Sequence, residues 1–226
     1  MPTSTPSPRR RQGTAPETIA AALRADILSG KAKPGTLLRQ EDLAAQFAMS
    51  RIPVRDALRL LEAEGLVTIA TNRGAQVTQL SRDEVAEIYH LRILLEGNCL
   101  GVAIAQMTET ELDRIDRIRR RAEIDAATAD WNEGDWSFHE ALYRPSGHGR
   151  QIEMIRSLRT TSDLYAAAHQ ALPKQRKRWL ADHRAIVAAC RAGRTADAVA
   201  ALTAHLTGAR DFVLSRMADA RLSCRC

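Results

Sequence analysis

The sequence predicts a mainly α-helical chain in two parts, with one short β-hairpin confined to the first part. Aromatic residues make up only 4% of the 226 residues, while Ala, Leu, Ile and Arg are abundant, and this mix favours helices over sheets. Apolar residues recur at helical spacing along most of the chain. Strand-like patterns occur only between residues 66 and 80.

The two ends of the chain read as tails. Residues 1–15 are rich in Pro, Ser and Thr and have no apolar run after their arginines, which predicts a disordered tail rather than a secretory signal. Residues 222–226 form a C-terminal tail that carries a Cys-x-Cys pair. The four cysteines form no disulfide framework, and no apolar run reaches the roughly 18 residues of a membrane span. We therefore expect a cytoplasmic protein with no membrane partner.

The first part, residues 16–80, contains three helical segments and then two β-leaning segments. Gly and Pro residues separate the helices, and the stretch TNRG at 71–74 reads as the tip of a hairpin. Three helices followed by a hairpin predict a winged helix-turn-helix, with the wing at the tip. The segments are residues 17–29, 39–48, 51–64, 66–70 and 75–80.

The third helix carries a proline near its start without contradiction. Ser50 is a favoured N-cap residue, and Pro53 lies in the first turn, where a missing N–H breaks no intrahelical hydrogen bond. One face of this helix is apolar and is expected to pack on the two preceding helices. Its members are Val54, Ala57, Leu58 and Leu61.

Three arginines, Arg51, Arg55 and Arg59, lie four residues apart along a neighbouring face of the third helix. Such a stripe is either a solvated face or a nucleic-acid contact. Residues 1–79 hold 11 basic and 7 acidic side chains, so they carry +4 of the net charge of +6. The position of the helix in the predicted motif and this charge favour contact with DNA, where the start of the helix meets base edges.

The second part, residues 81–221, reads as helices throughout. Ser81 with Glu84, and Thr108 with Glu111, have the spacing of capping boxes at the starts of two helices. These helices are expected to end near residues 107 and 129. Further helices are predicted near 135–145, 150–171, 174–192 and 195–221, which together make an all-α bundle.

Four residues of the bundle have side chains that suit a transition metal. Asp135 and His139 are four residues apart and so share a helix face, while His183 and His205 lie in later helices among apolar neighbours. Three imidazoles and a carboxylate suit Zn, Ni, Mn or Fe. From spacing alone the alternative stays open, because an inward histidine is often a hydrogen-bonded core residue.

The first part resembles the GntR family of bacterial transcription regulators. The resemblance lies in the stretch SRIPVRDALRLLEAEGL at 50–66 and in RGAQV at 73–77. It implies that Ser50, Arg51 and Arg55 contact operator DNA and that the wing enters a minor groove. Gln40, Glu41, Ala48, Met49 and Ile52 depart from the common pattern, which leaves the operator sequence open. The predicted DNA-contacting set is Arg39, Ser50, Arg51, Ile52, Arg55, Arg59, Arg73 and Gly74.

The second part is similar to the FCD domain, the ligand-sensing domain of the FadR branch of that family. The similar segments are HLRILLEGNCLGVAI, DWSFHEALYRPSG and DHRAIVAACRAGRTADAVAALTAHL. The resemblance implies a metal, with zinc foremost, held by Asp135, His139, His183 and His205. It also implies that Arg92 pairs with the carboxylate of a small organic acid, although an interhelix or surface salt bridge is an equal alternative for Arg92.

Together these features predict a homodimeric transcription regulator, most simply a repressor, and not an enzyme. Its dimer would bind a pseudo-palindromic operator, and an organic-acid effector in the helical domain would control operator affinity. Two alternatives remain at this point. One is a metal-dependent enzyme acting on a small carboxylic acid, and the other is a regulator that holds its ligand without a metal.

Overall fold

The computed structural model describes residues 13–70, 74–125, 131–168 and 172–222. Its fold is the predicted one, a winged helix-turn-helix followed by a helical domain. The first part comprises α1 (Ala15–Leu28), β1 (Leu37–Leu38), α2 (Gln40–Gln46), α3 (Arg51–Ala63), β2 (Val67–Ala70) and β3 (Gly74–Val77). The second comprises α4 (Arg82–Ile104), α5 (Glu109–Asp125), α6 (Trp131–Tyr143), a 3₁₀ turn (Arg144–Ser146), α7 (Gly149–Ala168), α8 (Leu172–Arg191) and α9 (Thr195–Leu222).

The small sheet is antiparallel, with β3 between β1 and β2. The predicted hairpin is β2 and β3, in which Val67 lies opposite Val77. Strand β1, where Leu38 lies opposite Ala75, was not predicted, because two residues are too few to show an alternating pattern. The hairpin tip, including Arg73 of the predicted DNA-contacting set, lies outside the described residues.

Helix starts follow the capping signals closely. Ser81 and Glu84 form the predicted capping box of α4, and Thr108 and Glu111 exchange the corresponding bonds before α5. The first helix begins earlier than predicted, since the Thr14 N–H donates to the Glu17 carboxylate at 2.7 Å. Ala15, assigned above to the tail, is therefore the first residue of α1.

The predicted apolar face of α3 is the centre of the first core. Its four members Val54, Ala57, Leu58 and Leu61 are fully buried and share a cluster with α1 residues such as Ile19. The same cluster includes Val85 and Tyr89 of α4 and Val213 of α9. The DNA-binding part is thus packed onto the helical part through one continuous apolar core.

The C-terminal end of α3 also abuts the helical part. Gly65, just after α3, has φ +75°, and a Cβ placed on it would lie 2.8 Å from the Thr161 hydroxyl of α7. The ion pair of Arg24 with Glu64 joins α1 to the same end of α3. Thr161 of α7 therefore lies directly against the C-terminal end of the predicted recognition helix.

The helical domain has its own core around Phe138, Leu142, Ile155, Ile186 and Leu202. Helices α6, α8 and α9 meet there, which brings together the histidines that each of them carries. In the part of the chain that the structure describes, no helix has a stretch long and apolar enough to cross a membrane.

Candidate functional site

The start of α3 presents the predicted DNA-reading side chains to solvent. Ser50 occupies the N-cap position with extended backbone angles, as predicted, but its hydroxyl makes no capping hydrogen bond. Arg51, Arg55 and Arg59 are exposed along one side of the helix. Since the apolar face is fully buried, the arginine side is the one available to a partner.

Arg51 is paired in the free protein with Glu41 of α2, at 2.5 Å. Both side chains are about two-thirds exposed, so solvent screens the pair and its contribution to stability is at most about 1 kcal/mol. Such a pair costs little to break, and Arg51 can exchange Glu41 for a base or a phosphate.

The remaining predicted contacts that the structure describes are exposed at the start of α2, in the first turn of α3 and at the start of β3. Arg39 is exposed at the N-cap of α2, and Gly74 is exposed with φ +78° at the start of β3. Ile52 is 63% exposed in the first turn of α3. Ala48, in the turn before α3, has φ +51°, the left-handed region that favours glycine.

Three buried histidines converge in the helical domain. His139, His183 and His205 come from α6, α8 and α9, and they each offer a ligand atom such that all three atoms lie within 4.8 Å of one another. Their ring centroids are 4.9–5.4 Å apart. Asp135, also buried, places one carboxylate oxygen 3.4 Å from Nε2 of His183. The structure therefore gathers all four predicted ligands at one place.

A hydrogen-bond chain fixes the ring of His139. The Tyr143 hydroxyl donates to the Glu96 carboxylate at 2.5 Å and lies 3.0 Å from Nδ1 of His139. Because the single phenolic hydrogen is given to Glu96, Nδ1 of His139 must carry the hydrogen and donate to the phenol oxygen. Nε2 of His139 then keeps its lone pair, and among the described residues this buried nitrogen has no hydrogen-bond partner.

Outer contacts hold two of the other predicted ligands. Nδ1 of His205 lies 3.3 Å from the Asp182 carboxylate. The second oxygen of Asp135 accepts a hydrogen bond from Arg159, which leaves the first oxygen facing His183. This is the pattern found around metal ligands, whose second atoms are held by carboxylates, hydroxyls or cations.

Burial favours the neutral form of two of the histidines, His139 and His183. Desolvation, together with the positive charge of Arg159, lowers the pKa of His139 well below its ordinary value. Desolvation lowers the pKa of His183 to about 3. Burial acts to raise the pKa of the Asp135 carboxyl, but the positive charge of Arg159 favours the carboxylate, and the pKa is lowered overall. His139 and His183 are therefore neutral imidazoles at neutral pH, beside the Asp135 carboxylate, and these are the donor forms that a divalent metal requires.

Arg92, the predicted effector contact, is buried and largely engaged. Its Nε donates to Glu96 at 2.8 Å, its Nη1 donates to Ser162 at 3.0 Å, and its guanidinium lies over the Tyr89 ring. The ion pair with Glu96 lies within α4 and is buried, so it is neither the interhelix nor the surface salt bridge named as alternatives, and the contact with another helix is the hydrogen bond to Ser162 of α7.

The histidines outside the predicted set lie elsewhere. His90 and His148 are exposed, and His148 contacts Gln151. His169 and the terminal cysteines lie outside the described residues.

One cavity adjoins the cluster, and a second, larger cavity shares part of its lining. The smaller, beside the histidines, is lined by residues that include Arg92, Asp135, Arg159 and His205. The larger, about 650 Å³, lies between the DNA-binding part and the helical domain and is lined by residues that include Arg24, Glu64, Trp136 and Arg159. Arg159 belongs to both linings, yet no local pattern in the sequence singled it out.

A winged helix joined to a helical domain with a buried cluster of ligand-type side chains defines a class of DNA-binding regulators with a built-in sensing domain. Comparison with known proteins agrees. Residues 15–77 match the bacterial regulatory proteins of the gntR family, and residues 87–208 match the FCD domain. The chain belongs to the GntR family of transcription regulators.

The relatives are regulators of the same kind. The HTH-type transcriptional regulator LutR of Bacillus subtilis is 30% identical over 215 residues, covering 83% of this chain and 95% of LutR. The gluconate operon transcriptional repressors of Bacillus licheniformis and B. subtilis are 29% and 33% identical, over 65% and 61% of this chain. The matched region spans 61% and 57% of the length of those two repressors.

Solved structures share the fold. A putative GntR regulator from Rhodococcus sp. RHA1 superposes with a TM-score of 0.74 at 27% identity, covering 90% of this chain and 99% of that one. Escherichia coli McbR/YncC gives the same TM-score at 20% identity, covering 91% of this chain and all of that one.

Proposed function

We propose that this GntR-family regulator is a cytoplasmic, homodimeric repressor with a metal in its helical domain. The dimer binds a pseudo-palindromic operator through α3 and the wing, and a small organic acid bound near the metal controls operator affinity. The observation that carries the proposal is the convergence of three buried histidines and Asp135 in a domain packed directly against α3.

The DNA contact rests on the exposed start of α3. Arg51 and Arg55 lie in the first turns, where a recognition helix meets base edges, and arginine pairs bidentately with guanine. Ser50 adds a hydroxyl that makes no capping hydrogen bond. Arg59 lies one turn further on and is assigned to the phosphate backbone.

Selection from a randomised duplex library, followed by binding assays on the selected sequence, tests this assignment. Arg51→Ala and Arg55→Ala should each weaken specific binding, by about 1–3 kcal/mol, while the protein stays folded and keeps its oligomeric state. Arg150→Ala, an exposed arginine at the start of α7, is the matched control and should bind normally. Unchanged affinity of both α3 variants for the selected duplex would contradict the proposal that α3 reads the operator.

The metal proposal rests on the fit of the donors. Nε2 of His139 is buried without a hydrogen-bond partner among the described residues. Burying this nitrogen is costly unless a bound metal ion accepts its lone pair. Asp135, His139, His183 and His205 would hold the ion, and zinc suits this donor set best, with Ni, Mn and Fe as alternatives. When bound, the metal would supply a Lewis acid beside the effector site, while the chain excludes water and orients the four donors.

Elemental analysis and thermal unfolding test the metal site. Zinc in excess should stabilise the purified protein, by about 2.7 kcal/mol at a concentration a hundred times Kd. His183→Ala should remove that stabilisation. A protein that carries no metal as purified, and that zinc, nickel and manganese all fail to stabilise, would instead be a metal-free regulator.

A further inference from the structure

We propose that Arg159 anchors a small monocarboxylate whose body lies in the cavity between the DNA-binding part and the helical domain. This inference rests on the proposed function, because it locates the effector of the same regulator. It assigns the anion contact to α7 instead of to Arg92 on α4. It also makes the interdomain cavity part of the effector site.

Among the described residues, Arg159, unlike Arg92, has a buried donor nitrogen without a hydrogen-bond partner. Its side chain is buried, at 5% exposure, and Nη2 is engaged by Asp135. In the described part of the chain its Nε has no hydrogen-bond partner. A buried cationic donor without an acceptor is costly, and an incoming carboxylate would satisfy it with a charge-assisted bond.

The cavity around Arg159 suits the body of such an acid. It offers about 650 Å³, within the range of small-molecule sites. Trp136 supplies an apolar wall, and the guanidinium groups of Arg156 and Arg159 lie 5.8 and 5.7 Å from its ring centre. A carboxylate between the two guanidinium groups would place the rest of the molecule against the indole.

The acidic residues of the cavity restrict the ligand. Glu133 and Glu153 are exposed acidic residues of the lining, and Glu64 is already paired with Arg24. Asp163 lies on the same wall as Arg159, and burial raises the pKa of its carboxyl, which reduces its repulsion of an anion. A ligand with one carboxylate and a neutral or cationic far end fits this lining, whereas a second or third carboxylate would meet like charge.

The position of the cavity links this ligand to DNA binding. Arg24 and Glu64 line it, and Glu64 is the C-cap of α3. The helix that carries Arg159 also contacts the end of α3 through Thr161 and Gly65. An acid bound at Arg159 therefore touches the effector domain and the recognition helix from the same cavity.

Titration of the full-length, DNA-free protein with four acids tests the site, with tryptophan fluorescence and calorimetry as readouts. Acetate, lactate and gluconate are the monocarboxylate probes, and citrate is the polyanion. We expect saturable binding of at least one monocarboxylate, with weaker binding of citrate. Arg159→Lys keeps a cation beside Asp135 but removes Nε, and it should weaken monocarboxylate binding about tenfold or more.

Matched variants separate the possible outcomes. Arg150→Lys, the same change on the exposed start of α7, should bind as the unmodified protein does. Arg156→Gln, an exposed change at the cavity, should weaken binding about threefold and serves if Arg159→Lys does not fold. No saturable binding of any probe, or a loss with Arg92→Lys while Arg159→Lys and Arg156→Gln bind normally, overturns the proposal. Because no DNA is present, a failure of operator binding would leave this result unaffected.

Discussion

Tyr143 stands between His139 and Glu96, with its hydroxyl oxygen 3.0 Å from the histidine Nδ1 and 2.5 Å from the glutamate oxygen. This geometry holds His139 in the tautomer whose Nε2 lone pair faces the other histidines. The tautomer is thus set by residues that do not themselves belong to the predicted ligand set.

Tyr143→Phe should weaken zinc binding. The change removes the acceptor for the His139 Nδ1 hydrogen, and loss of such an outer contact typically costs about 10–100-fold in metal affinity. Competition with a chromogenic chelator measures the affinity, and the nitrogen chemical shifts of His139 report the tautomer. Tyr89→Phe is the control, since that buried phenol lies on α4 outside the chain of bonds to His139. Equal zinc affinity in the two variants would contradict the role given to Tyr143.

Gly65→Ala should destabilise the protein more than Gly147→Ala. Both glycines have positive φ, so each alanine carries a backbone cost of about 1–2 kcal/mol. Only at Gly65 would the new Cβ also meet a neighbour, the Thr161 hydroxyl at 2.8 Å, since nothing lies within 4 Å at Gly147. Urea unfolding measures both costs. Adding Thr161→Ala to Gly65→Ala should recover the difference, and a failure to do so would show that the contact does not constrain the interface.

Arg55→Ala and Arg59→Ala should weaken DNA binding in different ways. Loss of a base contact at Arg55 should cost about 1–3 kcal/mol and relax the sequence preference at one position. Loss of a phosphate contact at Arg59 should weaken binding to all duplexes alike and reduce the salt slope by about 1. Binding isotherms at several salt concentrations, on the selected duplex and on single-base variants of it, separate the two effects. A relaxed sequence preference in Arg59→Ala would contradict the assignment to phosphate.

The metal-free protein should lose stability as the pH falls below about 6.5, the ordinary pKa of histidine. In the folded state the pKa of His183 is about 3 and that of His139 is also lowered, so the unfolded chain takes up protons that the folded chain does not. Each such histidine contributes a slope of up to about 1.4 kcal/mol per pH unit between the two pKa values. Denaturant unfolding at pH 7.5 and 5.5 measures the loss, and His183→Gln should reduce it. Equal free energies of unfolding at both pH values would contradict the buried neutral cluster.

Local sequence patterns predicted the buried face of α3 and the starts of two helices. The burial of Val54, Leu58 and Leu61 followed from helical spacing, and the starts of α4 and α5 followed from capping boxes. The sequence predicted the four ligands from the spacing of Asp135 and His139, from the apolar neighbours of His183 and His205, and from the resemblance to the FCD domain.

The features that the sequence did not predict depend on contacts between helices that are distant in the chain. Tyr143 and Arg159 are ordinary helical residues in the sequence, and their roles arise only because α4, α6 and α7 pack together. Strand β1 is too short to leave a pattern, and the unbonded hydroxyl of Ser50 depends on a side-chain rotation that no residue type specifies.

Because Arg159 lines both cavities, any ligands that meet there are thermodynamically linked. An acid bound to Arg159 could alter the hydrogen bond from Arg159 to Asp135 and so change the zinc affinity by some factor. Zinc must then change the affinity for that acid by the same factor. The same reciprocity extends to DNA through the contact of α7 with the end of α3. Acid affinities measured with and without metal, and with and without operator, would therefore close a thermodynamic cycle that gives the coupling energy of each pair of ligands.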